Sequence, residues 1–309
     1  MNAARRDETR GLWLGLLGVV IFAMTLPMTR LAVGPLEDPQ LAPAFVTAGR
    51  AALAGLLSLV YLRATRAPRP AARQLPALAV CAAGTVVGFP LFLGLALRQV
   101  DASHAAVITG VLPLGTAAVA ALYLRQRPSA GFWICAGLGC ALVLGYAAIQ
   151  GRGRLGAADG LLLLAILSTS IGYVAGAALA AQMTAERVIC WVLALSLPLT
   201  LPAMLITWPA QAVRGASWGG FAYVTLFSMW LGFFAWYRGL ALGGTVRVSQ
   251  VQLVQPFLSM LFAVPLLGEH LDFVTLAFAL AVIATVFAGR KMPVRAARKP
   301  AFPPAMESR

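Results

Sequence analysis

Polar side chains interrupt an apolar stretch near the carboxyl end of the chain, VSQVQLVQPFLSMLFAVPLLGEH, residues 248–270. On a helix, Gln252, Gln255 and Ser259 lie on one face, because residues three, four and seven positions apart are neighbours there. Pro256 removes a backbone hydrogen bond, which frees a carbonyl near residue 252 and kinks the helix. These groups can hydrogen-bond a solute in a cavity, or they can hydrogen-bond to neighbouring helices and hold them together.

A second exceptional side chain is Arg50, the one charged residue that lies well inside an apolar stretch. A buried arginine is costly unless it is paired or solvated, and this cost favours a functional role. The alternative interpretation is that Arg50 bonds to carbonyls at a helix break and only holds the fold. Its surroundings in sequence do not decide between the two.

The elements that must position these residues are membrane spans. The chain is 60% hydrophobic and 11% charged, with a mean hydropathy of +0.83. About 20 apolar residues of helix cross a bilayer, and the strict alternation of a β-barrel is absent. We therefore predict an all-α polytopic membrane protein. Its ten spans, numbered 1 to 10, cover roughly 12–33, 42–62, 75–97, 104–124, 130–149, 160–181, 188–208, 217–241, 248–267 and 271–288.

The net charge of +14 is divided unequally between the two sides of the membrane. With these spans, 18 of the 24 Lys and Arg fall on the side of the amino terminus and five on the other side. Cytoplasmic loops retain positive charge, so we predict a multi-pass protein of the cytoplasmic (inner) membrane with both termini in the cytoplasm. The basic tail, 290–309, is expected to be disordered and to contact anionic lipid rather than nucleic acid.

An internal repeat relates the two ends of the chain. Shifting the chain by about 143 residues places Pro113 on Pro256 and Ala120 on Ala263. We predict a first five-helix repeat in 1–150 and a second in 151–289. Because each has an odd number of spans, the two would be inverted relative to each other, as in carriers whose substrate site lies near the midplane.

The internal repeat and the positions of other polar residues in the spans add further candidates for the cavity wall. For each serine or threonine among them, the alternative interpretation is a role in helix packing. The candidate cavity residues are Gln252, Gln255, Ser259, Thr109, Thr116, Ser168, Tyr173, Ser228, Trp230 and Arg50, and the predicted helix breaks are Pro113 and Pro256. Small-residue pairs, Gly11-x3-Gly15 and Gly172-x3-Gly176, predict helix-packing seams. Glu269 is expected to cap or lock the short link to span 10.

Several chemistries are disfavoured. All ten acids fall outside the spans or at their margins, which argues against a proton or cation antiporter with a midplane carboxylate. The spans carry no Ser/His pair, paired aspartates or H-E-x-x-H motif, so we predict no enzyme and no catalytic residue. The four cysteines form no CxxC pair, and neither a metal site nor a cofactor is predicted.

The order and spacing of these features resemble a known group. The ten spans, the two halves, the PAFVTAGRAALAG segment of span 2 and the Pro256…Gly268-Glu269 ending of span 9 resemble the drug/metabolite transporter superfamily, specifically its EamA family. The resemblance implies a permease, often an exporter of metabolites or amino acids. It also implies a cavity lined mainly by spans 1, 3, 4, 6, 8 and 9.

Two departures from the internal repeat argue against a mechanism in which the two halves have equivalent functional residues. The first half ends span 4 with Leu124-Arg125-Gln126, without an acid matching Glu269, and span 7 has no arginine matching Arg50. We therefore predict a secondary transporter that moves a small metabolite or amino-acid-like solute across the cytoplasmic membrane by alternating access, as an exporter. A membrane-embedded enzyme or a channel is the alternative. The expected partners of the transporter are a small-molecule substrate and the lipid bilayer. We expect a monomer, with a homo-oligomer as the alternative.

Overall fold

The computed structural model describes residues 3–123, 127–150, 156–180, 182–243, 251, 254–292 and 294–295. Eight helices there are long and apolar enough to cross a membrane, and two shorter apolar helices, Gln255–Leu267 and Phe273–Gly289, follow them. The prediction of an all-α membrane protein with about ten spans is confirmed. Side chains such as Leu199 and Ile206 are exposed on the outer surface of the bundle, as expected where the solvent is lipid.

Five spans are single helices, and four others are built from shorter pieces. The single helices are span 2, Pro43–Ala64; span 5, Ala130–Gln150; span 6, Ala157–Ala180; span 7, Ala185–Ile206; and span 10, Phe273–Lys291. Span 1 joins Ala3–Ala23 to Thr25–Val33, and span 4 joins Ala102–Thr109 to Leu112–Tyr123. In span 9 the described helix is Gln255–Leu267.

Spans 3 and 8 each contain a π-helical segment. In span 3 a short 3-10 turn, Ala72–Gln74, leads into Leu75–Cys81, the π segment Ala82–Gly88 and Phe89–Ala96. Span 8 consists of Gly215–Tyr223, the π segment Val224–Leu231 and Gly232–Gly243. Two-residue strands, Arg127–Pro128 just before span 5 and Val294–Arg295 just after span 10, pair in antiparallel fashion.

The packing of the spans follows the repeat. Span 2 packs against span 7, span 4 against span 9, and span 5 against span 10. Span 1 packs against spans 8 and 9, and its counterpart, span 6, packs against spans 3 and 4. This set of pairs is unchanged when spans 1–5 are exchanged with spans 6–10, as a two-fold relation between five-helix repeats requires.

Close contacts between small residues hold the seams between the halves. A Cβ on Gly84 of span 3 would lie 2.8 Å from the Cα of Gly172 in span 6. In the corresponding seam, a Cβ on Gly239 of span 8 would lie 2.6 Å from the nitrogen of Gly15 in span 1. Both seams use a glycine from the predicted small-residue pairs, because backbones can approach this closely only where no side chain intervenes.

Candidate functional site: a central polar cavity

Two lobes of one cavity lie between the halves, and Leu26, Thr109, Leu112, Tyr173 and Gln255 line both of them. The first, which we call the proline lobe, has a volume of about 230 Å³ and adjoins the helix starts at Pro113 and Pro256. The second, the arginine lobe, has a volume of about 70 Å³ and adjoins Arg50. Ligand sites usually begin at about 300 Å³, so the cavity suits only a small solute.

Two helix starts, at Leu112 and Gln255, shape the proline lobe. Span 4 ends its first segment at Thr109 and begins the second at Leu112, and the described helix of span 9 begins at Gln255. Pro113 and Pro256 are the second residues of the two new helices, where a missing N–H costs little. Pro113 also has no N–H to donate to the carbonyl of Thr109, which lines the lobe. The lobe therefore meets the end of a helix as well as side chains.

Ser259 has a role in packing as well as a position in the cavity wall. Pro27 cannot donate to the carbonyl of Ala23 four residues earlier, and span 1 is interrupted at Met24. The hydroxyl of Ser259, in span 9, donates to this carbonyl at 2.7 Å. Ser259 thus satisfies an acceptor that a proline left free, while it also lines the proline lobe.

Arg50 lies in the wall of the arginine lobe with 3% of its surface exposed. Its Nη2 donates to the hydroxyl of Ser228 at 2.9 Å, and Ser228 lies in the π segment of span 8. The Ser228 hydroxyl is in turn 2.8 Å from that of Thr25, next to the break in span 1. One arm of the guanidinium is therefore fixed by spans 1 and 8.

The Nε and Nη1 donors of Arg50 have no partner in the part of the chain that the structure describes. Among the described residues, no hydrogen-bond acceptor contacts its Nε or Nη1, and no carboxylate forms an ion pair with it. The hydroxyl of Thr169, on the opposite wall, is likewise buried without a partner there. Buried polar groups are nearly always hydrogen-bonded, and an unpaired buried charge is more costly still. The arginine lobe therefore presents unsatisfied donors to whatever occupies it.

The structure brings most of the predicted candidates together. Those that line the cavity are Thr109, Thr116, Tyr173, Ser228, Arg50, Gln255 and Ser259, with the predicted breaks at Pro113 and Pro256. Gln252 lies outside the described residues. The lining comes from spans 1, 3, 4, 6, 8 and 9, as the family resemblance implies, and from span 2 through Arg50.

Ser168 and Trp230 lie in helix contacts, away from the described lining. A Cβ on Gly88 would lie 2.8 Å from the Cβ of Ser168, which places this serine in the seam between spans 3 and 6. Trp230 packs against Phe234, with ring centroids 5.1 Å apart. Ser168 faces a neighbouring helix, and Trp230 contacts an aromatic ring of its own span, so neither belongs to the described lining of the cavity.

Three threonines that line the arginine lobe, Thr25, Thr85 and Thr169, are absent from the list of predicted candidates. Thr85 and Thr169 both face the arginine lobe. Thr85 lies in the π segment of span 3. The wider turn of a π-helix changes the face on which a residue lies, so α-helical spacing does not predict that Thr85 faces the cavity. Thr169 lies beside Ser168 and Ser170, and sequence does not tell which of three adjacent hydroxyls faces the cavity.

The ends of the spans near Glu269 are joined by polar contacts. The carboxylate of Glu269 accepts hydrogen bonds from the backbone N–H of Ala102 at 2.6 Å and of Ser103 at 2.8 Å. The Ser103 hydroxyl also donates to it at 2.5 Å. Glu269 thus caps the start of span 4 in the other half, rather than the link to span 10 as expected. A carboxylate there is favoured by the unpaired N–H groups and positive end of a helix.

Further contacts join the same end of the bundle, which we call the Glu269 end. Arg98 donates to the carbonyl of Leu41 at 3.2 Å, and Arg30 donates to the carbonyl of Leu97. His104 lies 2.8 Å from the carboxylate of Asp159, which links spans 4 and 6. These bonds tie together the ends of helices that border the cavity.

Comparisons with known proteins agree with this architecture. The model of the EamA-like transporter family matches the chain twice, over residues 9–147 and 156–288. A solved protein structure superposes with a TM-score of 0.60 over 92% of this chain and 97% of that one. Its sequence is 17% identical, so this likeness shows the fold alone.

Two curated relatives are transporters by name. The uncharacterized transporter YdeK of Bacillus subtilis (strain 168) is 42% identical over 290 residues, which cover 92% of this chain and 99% of that protein. The probable terminal-alkyne amino-acid exporter of Streptantibioticus cattleyicolor is 25% identical over 269 residues, which cover 84% of this chain and 86% of that protein.

Proposed function

The chain belongs to the EamA-like transporter family, and on that basis we propose that this transporter is a carrier that exports a small amino-acid-like metabolite by alternating access. The observation that carries the proposal is the cavity between the halves. It is lined from spans of both halves, it adjoins the break in span 4 and the helix start at Gln255 in span 9, and it contains buried polar groups that have no partner among the described residues. Sites of this kind are typical of carriers built from inverted repeats.

The sidedness of the molecule supports alternating access. With both termini in the cytoplasm, as the distribution of Lys and Arg favours, the Glu269 end faces outward. Its contacts, from Glu269 to Ser103 and from Arg98 to Leu41, would then close the outer side of the cavity. Release to the outside requires that these bonds break, and a carrier cycle requires that they form again.

The direction and the substrate class rest on a relative. The probable terminal-alkyne amino-acid exporter shares most of its length with this chain, and its name supports export of an amino-acid-like solute. The cavity is small enough for such a solute. Division of the chain into repeats at 1–150 and 151–289, with a basic cytoplasmic tail, completes the proposal.

The test is transport by the purified full-length protein in proteoliposomes. Vesicles loaded with an unlabelled L-amino acid should take up the same labelled amino acid against its gradient, and protein-free vesicles should not. Such counterflow requires a site that is exposed alternately to each side. Solute flux without counterflow, together with electrical conductance, would instead identify a channel.

Topology is tested separately. Reporter fusions after residue 155 should report the outer side, and fusions after residues 68 and 295 should report the cytoplasm. A cytoplasmic reading at residue 155 would place the Glu269 end on the inner side and would reverse the proposed gate.

A further inference from the structure

We infer that Arg50 binds the carboxylate of the transported solute and that the solute is an amino acid with a small apolar side chain. This inference rests on the proposed carrier function and assigns the substrate group that each wall of the cavity recognises. It starts from the contrast between the two sides of one guanidinium, of which one is bonded and the other is not.

The bonded side fixes the position of Arg50. Its Nη2 donates to Ser228, and Ser228 is held by Thr25, so the guanidinium cannot turn freely. Its Nε and Nη1 are buried and have no acceptor among the described residues. A positioned guanidinium with free donors matches a carboxylate, because arginine pairs with carboxylates through short, charge-assisted hydrogen bonds.

Charge balance leads to the same assignment. The described lining contains the cation of Arg50 and no carboxylate, and Arg50 forms no ion pair with any described residue. An uncharged solute would leave a desolvated charge in the membrane interior, whereas an anionic group would neutralise it. The unpartnered hydroxyl of Thr169 lines the same lobe and can donate to the same group.

Apolar side chains form much of the rest of this lobe. Phe22, Phe89, Leu112, Met229 and Phe233 line it, and they offer contact surface but no hydrogen bonds. A solute that fits must therefore join a carboxylate to an apolar body. The small volume of the two lobes favours an aliphatic side chain over a large aromatic one.

The break in span 4 supplies a place for an ammonium group. Thr109 ends the helix Ala102–Thr109 and lines both lobes. Pro113 leaves the Thr109 carbonyl without its usual donor, and the carbonyl end of a helix is partially negative. Gln255, on the facing helix, adds an amide oxygen to both lobes. Together with Arg50, these groups complement a zwitterion with an apolar side chain.

The first experiment varies the ligand and leaves the protein unchanged. L-leucine, leucinamide and 3-methylbutan-1-amine share an apolar body, and only leucine has the carboxylate. Binding to wild-type protein in nanodiscs, measured by calorimetry, should be detected for leucine and should weaken by about tenfold to a hundredfold for both analogues, as expected when a charge-assisted bond is lost. Equal binding of leucine and leucinamide, or no binding of leucine, would overturn the inference.

The second experiment varies the arginine. Arg50→Gln removes the charge, and Arg50→Lys keeps the charge but lacks the planar set of N–H donors of a guanidinium. The matched control is Arg63→Gln, which changes an exposed arginine of the same helix. We expect leucine binding to weaken about tenfold to a hundredfold in Arg50→Gln, to be partly retained in Arg50→Lys and to be unchanged in Arg63→Gln. Melting temperatures identify any variant that has not folded. If Arg50→Gln does not fold, the comparison of leucine with its analogues on the wild-type protein tests the inference.

Flux measurements separate this inference from the proposed function. Leucine counterflow that is unaffected by Arg50→Gln would contradict the binding role and leave the carrier function intact. Leucine binding that requires Arg50, without counterflow, would support the site and contradict the carrier function. Counterflow that is lost together with binding supports both.

Discussion

The two halves of the molecule share a scaffold but differ in chemistry. Spans 2 and 7 are helices of 22 residues each, they pack against one another, and they hold the same place in their halves. At the position in the repeat where span 2 carries Arg50, span 7 carries Val192 and Leu193, which are fully buried. In spans 4 and 9 the equivalent helix starts are Leu112 and Gln255.

This difference shows which features the fold requires and which the site requires. Helix packing constrains size and shape, so the same pairs of spans recur in both halves. Polar groups in a membrane interior are costly, and they are found where a partner or a function compensates for them. Arg50 and Gln255 have apolar counterparts, so the scaffold alone does not need them. The binding chemistry is therefore asymmetric within a symmetric frame.

The largest expected effect comes from making span 7 resemble span 2. Leu193→Arg places a charge in a fully buried position within an apolar cluster. An unpaired buried charge costs about 3–5 kcal/mol, so this variant should fail to accumulate as folded protein. Size-exclusion chromatography and melting temperature measure the loss. Leu193→Met, which keeps the apolar character, should behave like wild type, and a well-folded Leu193→Arg protein would show that this interface is not dry.

A smaller effect is expected from the Glu269 end. Glu269→Gln removes the negative charge from the cap on span 4 and weakens its bonds to Ala102 and Ser103. The loss should be about 2 kcal/mol, because hydrogen bonds to charged groups are the stronger kind. The melting temperature should fall, and a cysteine introduced at Thr109 should react faster with a hydrophilic thiol reagent added from outside. Glu37→Gln, at an exposed position near the same end, serves as the control.

Exchanging the chemistry of the two helix starts should have a moderate effect on transport. Gln255→Leu gives span 9 the residue that span 4 has at Leu112, and counterflow should fall by about tenfold, equivalent to one substrate hydrogen bond. The melting temperature should stay near that of wild type, because leucine is well tolerated in a span. Unchanged counterflow with a lower melting temperature would identify Gln255 as a packing residue.

The smallest effect is expected at the caps of spans 5 and 10. Asp272 accepts a hydrogen bond from the N–H of Thr275 at 2.7 Å, and Ser129 accepts one from Phe132 at 3.4 Å in the equivalent position of the first half. Asp272→Ala should cost about 1 kcal/mol, and Ser129→Ala should cost less because its bond is longer. Melting temperatures of the two variants test this order, and the reverse order would contradict it.

The cap at Asp272 also predicts a pH dependence. Its bonds to Thr275 lower the pKa of the Asp272 carboxyl. The stabilisation is therefore present above the ordinary aspartate pKa of about 3.9 and is lost as the pH falls through the lowered value. The difference in melting temperature between wild type and Asp272→Asn should shrink in that acidic range. A difference that grows on acidification would contradict the assignment.

Most of the fold could be predicted from sequence, because apolar length and the repeat of Pro113 and Pro256 report directly on spans and halves. Boundaries were less accurate. Span 1 was predicted from residue 12, and its helix begins at Ala3, because polar residues outside the membrane extend a helix without raising hydropathy. The π segments and the break at Met24 were not predicted.

The site was partly predicted for a physical reason. Spacing identified Gln255 and Ser259 as sharing a face, and burial cost identified Arg50 as exceptional. Spacing did not give the identity of the facing helix, so Ser168 was assigned to the cavity although it packs against Gly88. The hydrogen bond from Ser259 to Ala23 depends on span 9 packing against the break in span 1, and no local pattern in the sequence contains that contact.

The π segments of spans 3 and 8 bear on how the two halves of the chain are related. They cover Ala82–Gly88 and Val224–Leu231, at matching positions in the two halves. Well under 1% of residues in proteins are π-helical, so independent origins at the same depth would be a rare coincidence. On the proposed division into two five-helix repeats, the wider turn would already belong to the unit that was duplicated. The bond from Arg50 to the π segment of span 8 would then be a later feature of one side only.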